Sequence, residues 1–212
     1  MFEYRASPPI YDYACEREWT TRMGDVAGKE FSHMVHEHDR LTYVYTELLV
    51  LYRYLIECPP ERRHILYSFT SMVRDAFWKD VLIGLCKYGD HANGKSPVSL
   101  VSWRARYARG IPKAGKAEVQ ACVEAVFGAL VPIKELRNTH LAHSDGVALA
   151  AGEPNGVSLE QVATALGALS DCFRTFERLH DVPQMPQLPE WSWLGGAVSF
   201  ISLLKSAPSD YL

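Results

Sequence analysis

Apolar side chains recur at spacings of three and four along this chain, and this period constrains the fold more than any other feature. One such series contains Leu41, Val44, Leu48 and Leu51, and it is typical of one face of an amphipathic α-helix. A second regular series runs over residues 159–179, and Ser158 with Gln161 fits a capping box at its start. Because no segment alternates apolar and polar residues over the length of a strand, the sequence predicts an all-α fold.

Turn signals divide this pattern into helices. Pro59-Pro60 ends the first apolar series, Gly89 ends a second helix, and Pro132 predicts a kink or a break in a third. Residues 16–38 are polar and predict an exposed helix. The other helices are predicted over 41–58, 61–88, 97–108, 116–144 and 159–179. The loop lengths favour an antiparallel bundle of four main helices plus short peripheral helices.

The 212 residues suffice for one domain with a sizeable core. We expect a single helical domain over 1–212, with its core at about 40–180, an N-terminal extension at 1–38, and a proline-rich arm and C-terminal helix at 181–212. No signal peptide or transmembrane stretch is visible, and the five cysteines form no C-x-x-C pair. These features favour a cytoplasmic protein with buried, reduced thiols and no membrane association.

The formal charge of −3 means that a nucleic-acid site would have to be a local basic patch. Residues 95–117 contain no acid and interleave Trp103 and Tyr107 with basic residues, which is a composition suited to RNA contact. The alternative is a solvated basic face with the aromatic rings in the core. The candidate RNA-binding residues are Arg104, Arg106, Arg109, Lys113 and Lys116.

The run from Arg137 to His143 concentrates the groups that RNA cleavage requires. Successive helical residues are rotated by about 100°, so Arg137, His140 and His143 fall on one broad face. A histidine exchanges protons near neutral pH, and an arginine holds two phosphate oxygens in a fork. A base that deprotonates the ribose 2′-hydroxyl and a cation beside the phosphate need no metal and no cofactor.

The same spacing also fits a solvated helix face, or an arginine paired with a carboxylate such as Glu135 or Asp145. Asp80 and Asp90, near the end of the second helix, could each orient a histidine or pair with an arginine, and the sequence does not choose. A histidine cluster over 33–38 matches no zinc pattern and indicates a solvated polar helix. We expect no metal site.

The run L-R-N-x-x-x-A-H-S-D over 136–145 resembles the motif of the HEPN superfamily, in which an Arg is usually followed by a polar residue and then, a few residues on, by a His. Arg137, Asn138 and His143 match it. Together with the segment 85–90 and the loop to Ser99-Leu100, this is similar to the abortive-infection and toxin–antitoxin branch. The helical resemblance covers about residues 40–180.

The resemblance implies a helical bundle that dimerises with its two motifs facing each other, and a metal-independent endoribonuclease that acts as a toxin or antiphage effector. His143 would be the base or acid, Arg137 the phosphate ligand, and Asn138 would position the phosphate or the histidine. His140 would share the proton chemistry or face solvent. A separate nucleotidyltransferase-type antitoxin would be a partner. The alternative is a non-catalytic HEPN-like module that binds RNA, a nucleotide or a partner protein.

Overall fold

The computed structural model describes residues 13–57, 60–90, 99–107, 111, 113–138 and 156–182. These residues form helices and no strand, so the all-α fold class is confirmed. Four helices are long and two are short. Their bounds are α1 Tyr13–Met23, α2 Asp25–Glu57, α3 Pro60–Gly89, α4 Leu100–Tyr107, α5 Lys113–Leu136 and α6 Leu159–Leu179.

The N-terminal helices differ from the expected ones. Gly24, with a φ of 91°, separates α1 from α2, and α2 then continues through residue 41 without a break. The prediction that the helix over 16–38 is exposed is wrong, because Trp19, Phe31 and Met34 are buried. Their stripe is narrow and lies among charged residues, which hid it in the sequence.

The described residues fall into two compact units. One contains residues 13–38 and the described residues from 82 onward. Its core is an aromatic cluster, in which the Phe31 ring lies 5.4–5.5 Å from the rings of Trp19, Trp103 and Phe173. Buried aromatic pairs at these distances and tilted angles are stabilising beyond their buried area. The indole N–H of Trp103 donates to the carbonyl of Ala27 at 3.0 Å, so this buried polar group is satisfied.

The other unit contains the described residues of 39–81. On its part of α2, the predicted series is buried at Leu41, Leu48 and Leu51. An ion pair joins Arg40 to Asp80 on α3, with 2.6 Å between Nη1 and Oδ2. Pairing with an arginine is one of the two roles that the sequence left open for Asp80.

Helices α5 and α6 pack in antiparallel orientation. The start of α5 meets the end of α6, where a Cβ on Gly115 would lie 2.7 Å from Leu179 Cδ2. The end of α5 meets the residues before α6, because a Cβ on Gly156 would lie 3.2 Å from Leu136 Cδ1. Ser158 and Gln161 form the expected capping box at the start of α6.

Helix α5 continues through Pro132 to Leu136, so of the kink or break predicted at this proline, the break does not occur. A proline inside a helix removes the N–H that would donate to the carbonyl four residues earlier, here that of Gly128. Gly128 is exposed, so water can reach the carbonyl that the proline leaves without its helical donor. The continuous helix carries Arg137 directly beyond its last turn.

Candidate functional site

The candidate site begins where α5 ends. Arg137 and Asn138 follow Leu136 in a wider, π-helical turn. Turns of this kind are rare and are found frequently at functional sites. Within the turn, Arg137 Nε donates to Asn138 Oδ1 at 3.2 Å, so the amide helps to fix the plane of the guanidinium group.

Asp90, directly after α3, holds the Arg137 side chain. Arg137 Nη1 donates to Asp90 Oδ2 at 2.6 Å. On the preceding turn of α5, Lys134 Nζ lies 3.7 Å from Asp90 Oδ1 and donates to the carbonyl of Gly89 at 2.9 Å. We call Asp90, Lys134 and Arg137 the cation cluster. Both α3 and α5 end here, and the negative ends of helix dipoles favour nearby cations.

The charges of the cation cluster do not cancel, since two cations face one carboxylate. The hydrogen bond to Asp90 raises the pKa of Arg137, which keeps the guanidinium charged. Burial raises the pKa of the neighbouring Cys86 thiol to about 11, although Arg137 and Lys134 oppose the change. Cys86 is therefore neutral at physiological pH, and the cluster keeps one positive charge. Arg137 remains 27% exposed, so an anion from solvent can reach it.

A shallow depression of about 240 Å³ adjoins the cation cluster, because it is lined by Lys134 and by Gly89, whose carbonyl accepts a hydrogen bond from Lys134. Its other lining residues are apolar: Val101, Phe127, Leu130 and Val131. Val131 is exposed although it is apolar. An aromatic and aliphatic surface beside a cation offers separate contacts for the base and the phosphate of one nucleotide.

The structure places the candidate RNA-binding residues in different settings. Arg104 on α4 donates to Gln120 on α5, and Arg106 pairs with Glu30 at 2.8 Å. Lys113 and Lys116 are exposed at the start of α5, whereas Arg109 lies outside the described residues. Trp103 is buried, so it belongs to the core and is not a stacking surface for bases.

His140 and His143 also lie outside the described residues, and so does Asp145. Of the histidine cluster, His33 is exposed, whereas His38 is buried and its Nε2 donates to the carbonyl of Leu166 at 3.0 Å. The expectation of a solvated helix is therefore wrong at His38, which joins α2 to α6. No group of three or more His, Cys, Asp or Glu side chains that could hold a metal ion occurs among the described residues.

Sequence reasoning did not assign Asp90 or Lys134 to the candidate site. It named Asp90 without choosing its partner, because 47 residues separate it from Arg137. It did not single out Lys134, although a lysine three residues before an arginine shares its helix face. That spacing was the signal available in the sequence.

The all-α fold and the position of Arg137 beyond the end of a long helix agree with the resemblance to the HEPN superfamily. The family model HEPN_AbiU2, described as AbiU2, matches residues 29–185 of the 212, a range that includes the cation cluster and both candidate histidines. The chain therefore belongs to the AbiU2 family, in the abortive-infection branch of the HEPN superfamily. No curated protein and no solved structure matches it. In the part of the chain that the structure describes, no helix could span a membrane.

Proposed function

We propose that this protein is a metal-independent endoribonuclease of the HEPN type that acts as a toxin or antiphage effector in the cytoplasm. The observation that carries the proposal is the partly exposed Arg137 guanidinium, which Asp90 and Asn138 fix at the end of α5 within a cluster of net positive charge. Family membership also supports it, because the resemblance to the HEPN superfamily implies a metal-independent endoribonuclease. The motif arginine lies at the end of the helix that precedes the motif histidine in sequence.

In the proposed reaction, His143 takes the proton from a ribose 2′-hydroxyl. The freed oxygen attacks the adjacent phosphorus, the bond from phosphorus to the 5′-oxygen breaks, and a protonated imidazole gives the leaving oxygen its proton. Arg137 binds the phosphate oxygens and stabilises the negative charge that develops on them, an effect typically worth about 10²–10³ in rate for one donor. Asn138 positions the phosphate or the histidine, and His140 is the second candidate for proton transfer.

Asp90 is a positioning residue in this proposal. Its carboxylate holds one edge of the guanidinium group, and the exposed remainder of Arg137 is available to a phosphate. Lys134 supplies the cation that offsets the charge of Asp90. The apolar depression beside Lys134 accepts the base that flanks the bound phosphate.

The proposed partners follow from the same chemistry. RNA is the substrate, and its backbone also contacts the basic residues Arg104, Arg106, Arg109, Lys113 and Lys116. The active form is a homodimer in which two motifs share one cleft, since an acid and a base are then both available. A separate nucleotidyltransferase-type antitoxin restrains the enzyme.

The first test is cleavage of a mixed RNA pool in the presence of EDTA. The parent protein, His143→Ala and Arg137→Ala are compared at matched purity, with Lys29→Ala, which changes an exposed lysine outside the proposed site, as a surface control. We expect the parent and the control to cleave and to leave 2′,3′-cyclic phosphate ends, while the two motif variants do not. Equal cleavage by all four proteins would contradict the proposal, because it would indicate another site or a contaminant.

The alternative is a non-catalytic module that binds RNA, a nucleotide or a partner protein. The cation cluster carries this alternative as well, because a partly exposed guanidinium group within a cluster of net positive charge can bind a phosphate whether or not cleavage follows. This alternative predicts that the parent does not cleave RNA and that Arg137→Ala weakens binding of a labelled single-stranded RNA. Fluorescence anisotropy with that RNA separates the two functions.

A further inference from the structure

Two cysteines face each other across the antiparallel pair of α5 and α6. Cys122 Sγ and Cys172 Sγ lie 3.1 Å apart, although 50 residues separate them in sequence. Cys122 Sγ also lies 3.2 Å from the carbonyl of Val119. The two sulfurs are therefore in direct contact, and a small shift of either side chain would bring them to bonding distance.

The two thiols differ in exposure and in acidity. Cys122 is half-buried and Cys172 is fully buried, so a small reagent from solvent meets Cys122 first. The hydrogen bond from Cys172 lowers the pKa of Cys122, although burial opposes it, and the charge of Arg104 lowers it further. The same bond raises the pKa of Cys172, and its burial raises it too. The thiolate is the reactive form of a cysteine. Cys122 is therefore the better nucleophile, because its lower pKa gives it the larger fraction of thiolate.

We propose that Cys122 and Cys172 are a redox modification site, at which a peroxide converts the facing thiols into a disulfide between α5 and α6. The Cys122 thiolate attacks one oxygen of hydrogen peroxide, the O–O bond breaks, and Cys122 becomes a sulfenic acid as hydroxide leaves. The Cys172 sulfur then attacks the Cys122 sulfur, the S–O bond breaks, and water leaves with the thiol proton. The two sulfurs lose two electrons in total and the peroxide gains them.

The bond would close a loop that contains the whole run from Arg137 to His143. A cross-link of this length restricts the unfolded chain and stabilises the folded one. We therefore expect oxidation to raise the melting temperature and a dithiol reductant to reverse the increase. This inference does not depend on whether the protein cleaves RNA.

In the test, the reduced full-length protein is treated with a small molar excess of hydrogen peroxide. Remaining thiols are blocked with N-ethylmaleimide after denaturation, and peptides are mapped without reduction. We expect a cross-linked pair of peptides containing Cys122 and Cys172, lighter by two hydrogens than the separate peptides. Cys86, which is also buried, should remain a labelled free thiol and serves as the internal reference.

Cys122→Ser and Cys172→Ser separate the two steps. In Cys172→Ser, we expect Cys122 to stop at the sulfenic acid, which dimedone traps. In Cys122→Ser, Cys172 should stay reduced, because the more accessible thiol is missing. The proposal is overturned if Cys122 and Cys172 of the parent both remain labelled by N-ethylmaleimide after peroxide treatment. That result needs no variant, so it decides the question even if a serine substitution prevents folding.

Discussion

Both ends of α5 carry cations, but the cations at the two ends differ in exposure and in pairing with a carboxylate. At the start, Lys113 and Lys116 are exposed, and no acidic residue lies in the first turn. At the far end, Lys134 and Arg137 are only about one-third exposed or less, and Asp90 holds them both. The dipole of the helix disfavours cations at its start and favours them at its end.

The difference separates two uses of positive charge. Cations at the start of α5 add to a helix end that is already positive, so they attract a polyanion over a distance without fixing its position. Arg137 instead has a defined orientation, which is what a transition state requires of a charged donor. We therefore expect the start of α5 to affect RNA affinity and the end of α5 to affect the chemical step.

Arg137→Lys should have the largest effect. The lysine keeps the positive charge and can still pair with Asp90, but it lacks the planar fork that holds two phosphate oxygens. We expect the single-turnover rate of RNA cleavage to fall by about 10²–10³. Far-UV circular dichroism should match that of the parent protein.

The matched control changes the other end of the helix. In the double variant Lys113→Ala/Lys116→Ala, we expect the cleavage rate at saturating RNA to stay near that of the parent. RNA affinity should instead become less sensitive to salt, by about 0.7 in the log–log slope for each lost phosphate contact on a single strand. If the double variant lost as much rate at saturation as Arg137→Lys, the distinction between the two ends would be wrong.

Asp90→Asn should have the next largest effect. It removes the carboxylate that competes with phosphate, so RNA should bind more tightly and KM should fall. It also releases the guanidinium group from its fixed position, and misplacement of a catalytic group by about 1 Å can cost on the order of 10²-fold in rate. We expect kcat to fall by about ten- to a hundredfold. Steady-state kinetics would contradict the positioning role if kcat were unchanged.

Two glycines of α5 differ in the space beside them, and replacing each with alanine compares the effect of that space on stability. A Cβ on Gly128 would meet nothing within 4 Å, so Gly128→Ala should stabilise the fold by about 0.5–1 kcal/mol. A Cβ on Gly115 would lie 2.7 Å from Leu179 Cδ2, so Gly115→Ala should gain less or lose stability. Urea unfolding of both variants measures the difference. Equal gains would mean that Leu179 moves aside without cost.

The local parts of the fold could be predicted from the sequence. The capping box at Ser158 and the apolar series of α6 depend on residues close together in the chain, and both are confirmed. These features need only helical geometry, which a single sequence displays directly.

The parts that depended on distant partners could not be predicted. The charged stretch around residue 39 indicated a helix boundary, yet α2 continues because its polar groups find partners on other helices. Lys87 on α3 pairs with Glu37, and Leu166 on α6 accepts from His38. In the same way, Asp90 belongs to the candidate site only because α3 and α5 end side by side.

The smallest expected effect concerns His180, which follows α6. Burial lowers the pKa of His180, although Asp181 opposes the change. A histidine whose pKa is lowered on folding contributes stability that is fully present above its unfolded value of about 6.5 and is lost as the pH falls below it. His180→Gln should therefore lose less stability than the parent between pH 7.5 and pH 5.5. Urea unfolding at both pH values checks this, and parallel losses in the two proteins would mean that the folded protein accommodates the charged imidazole without cost.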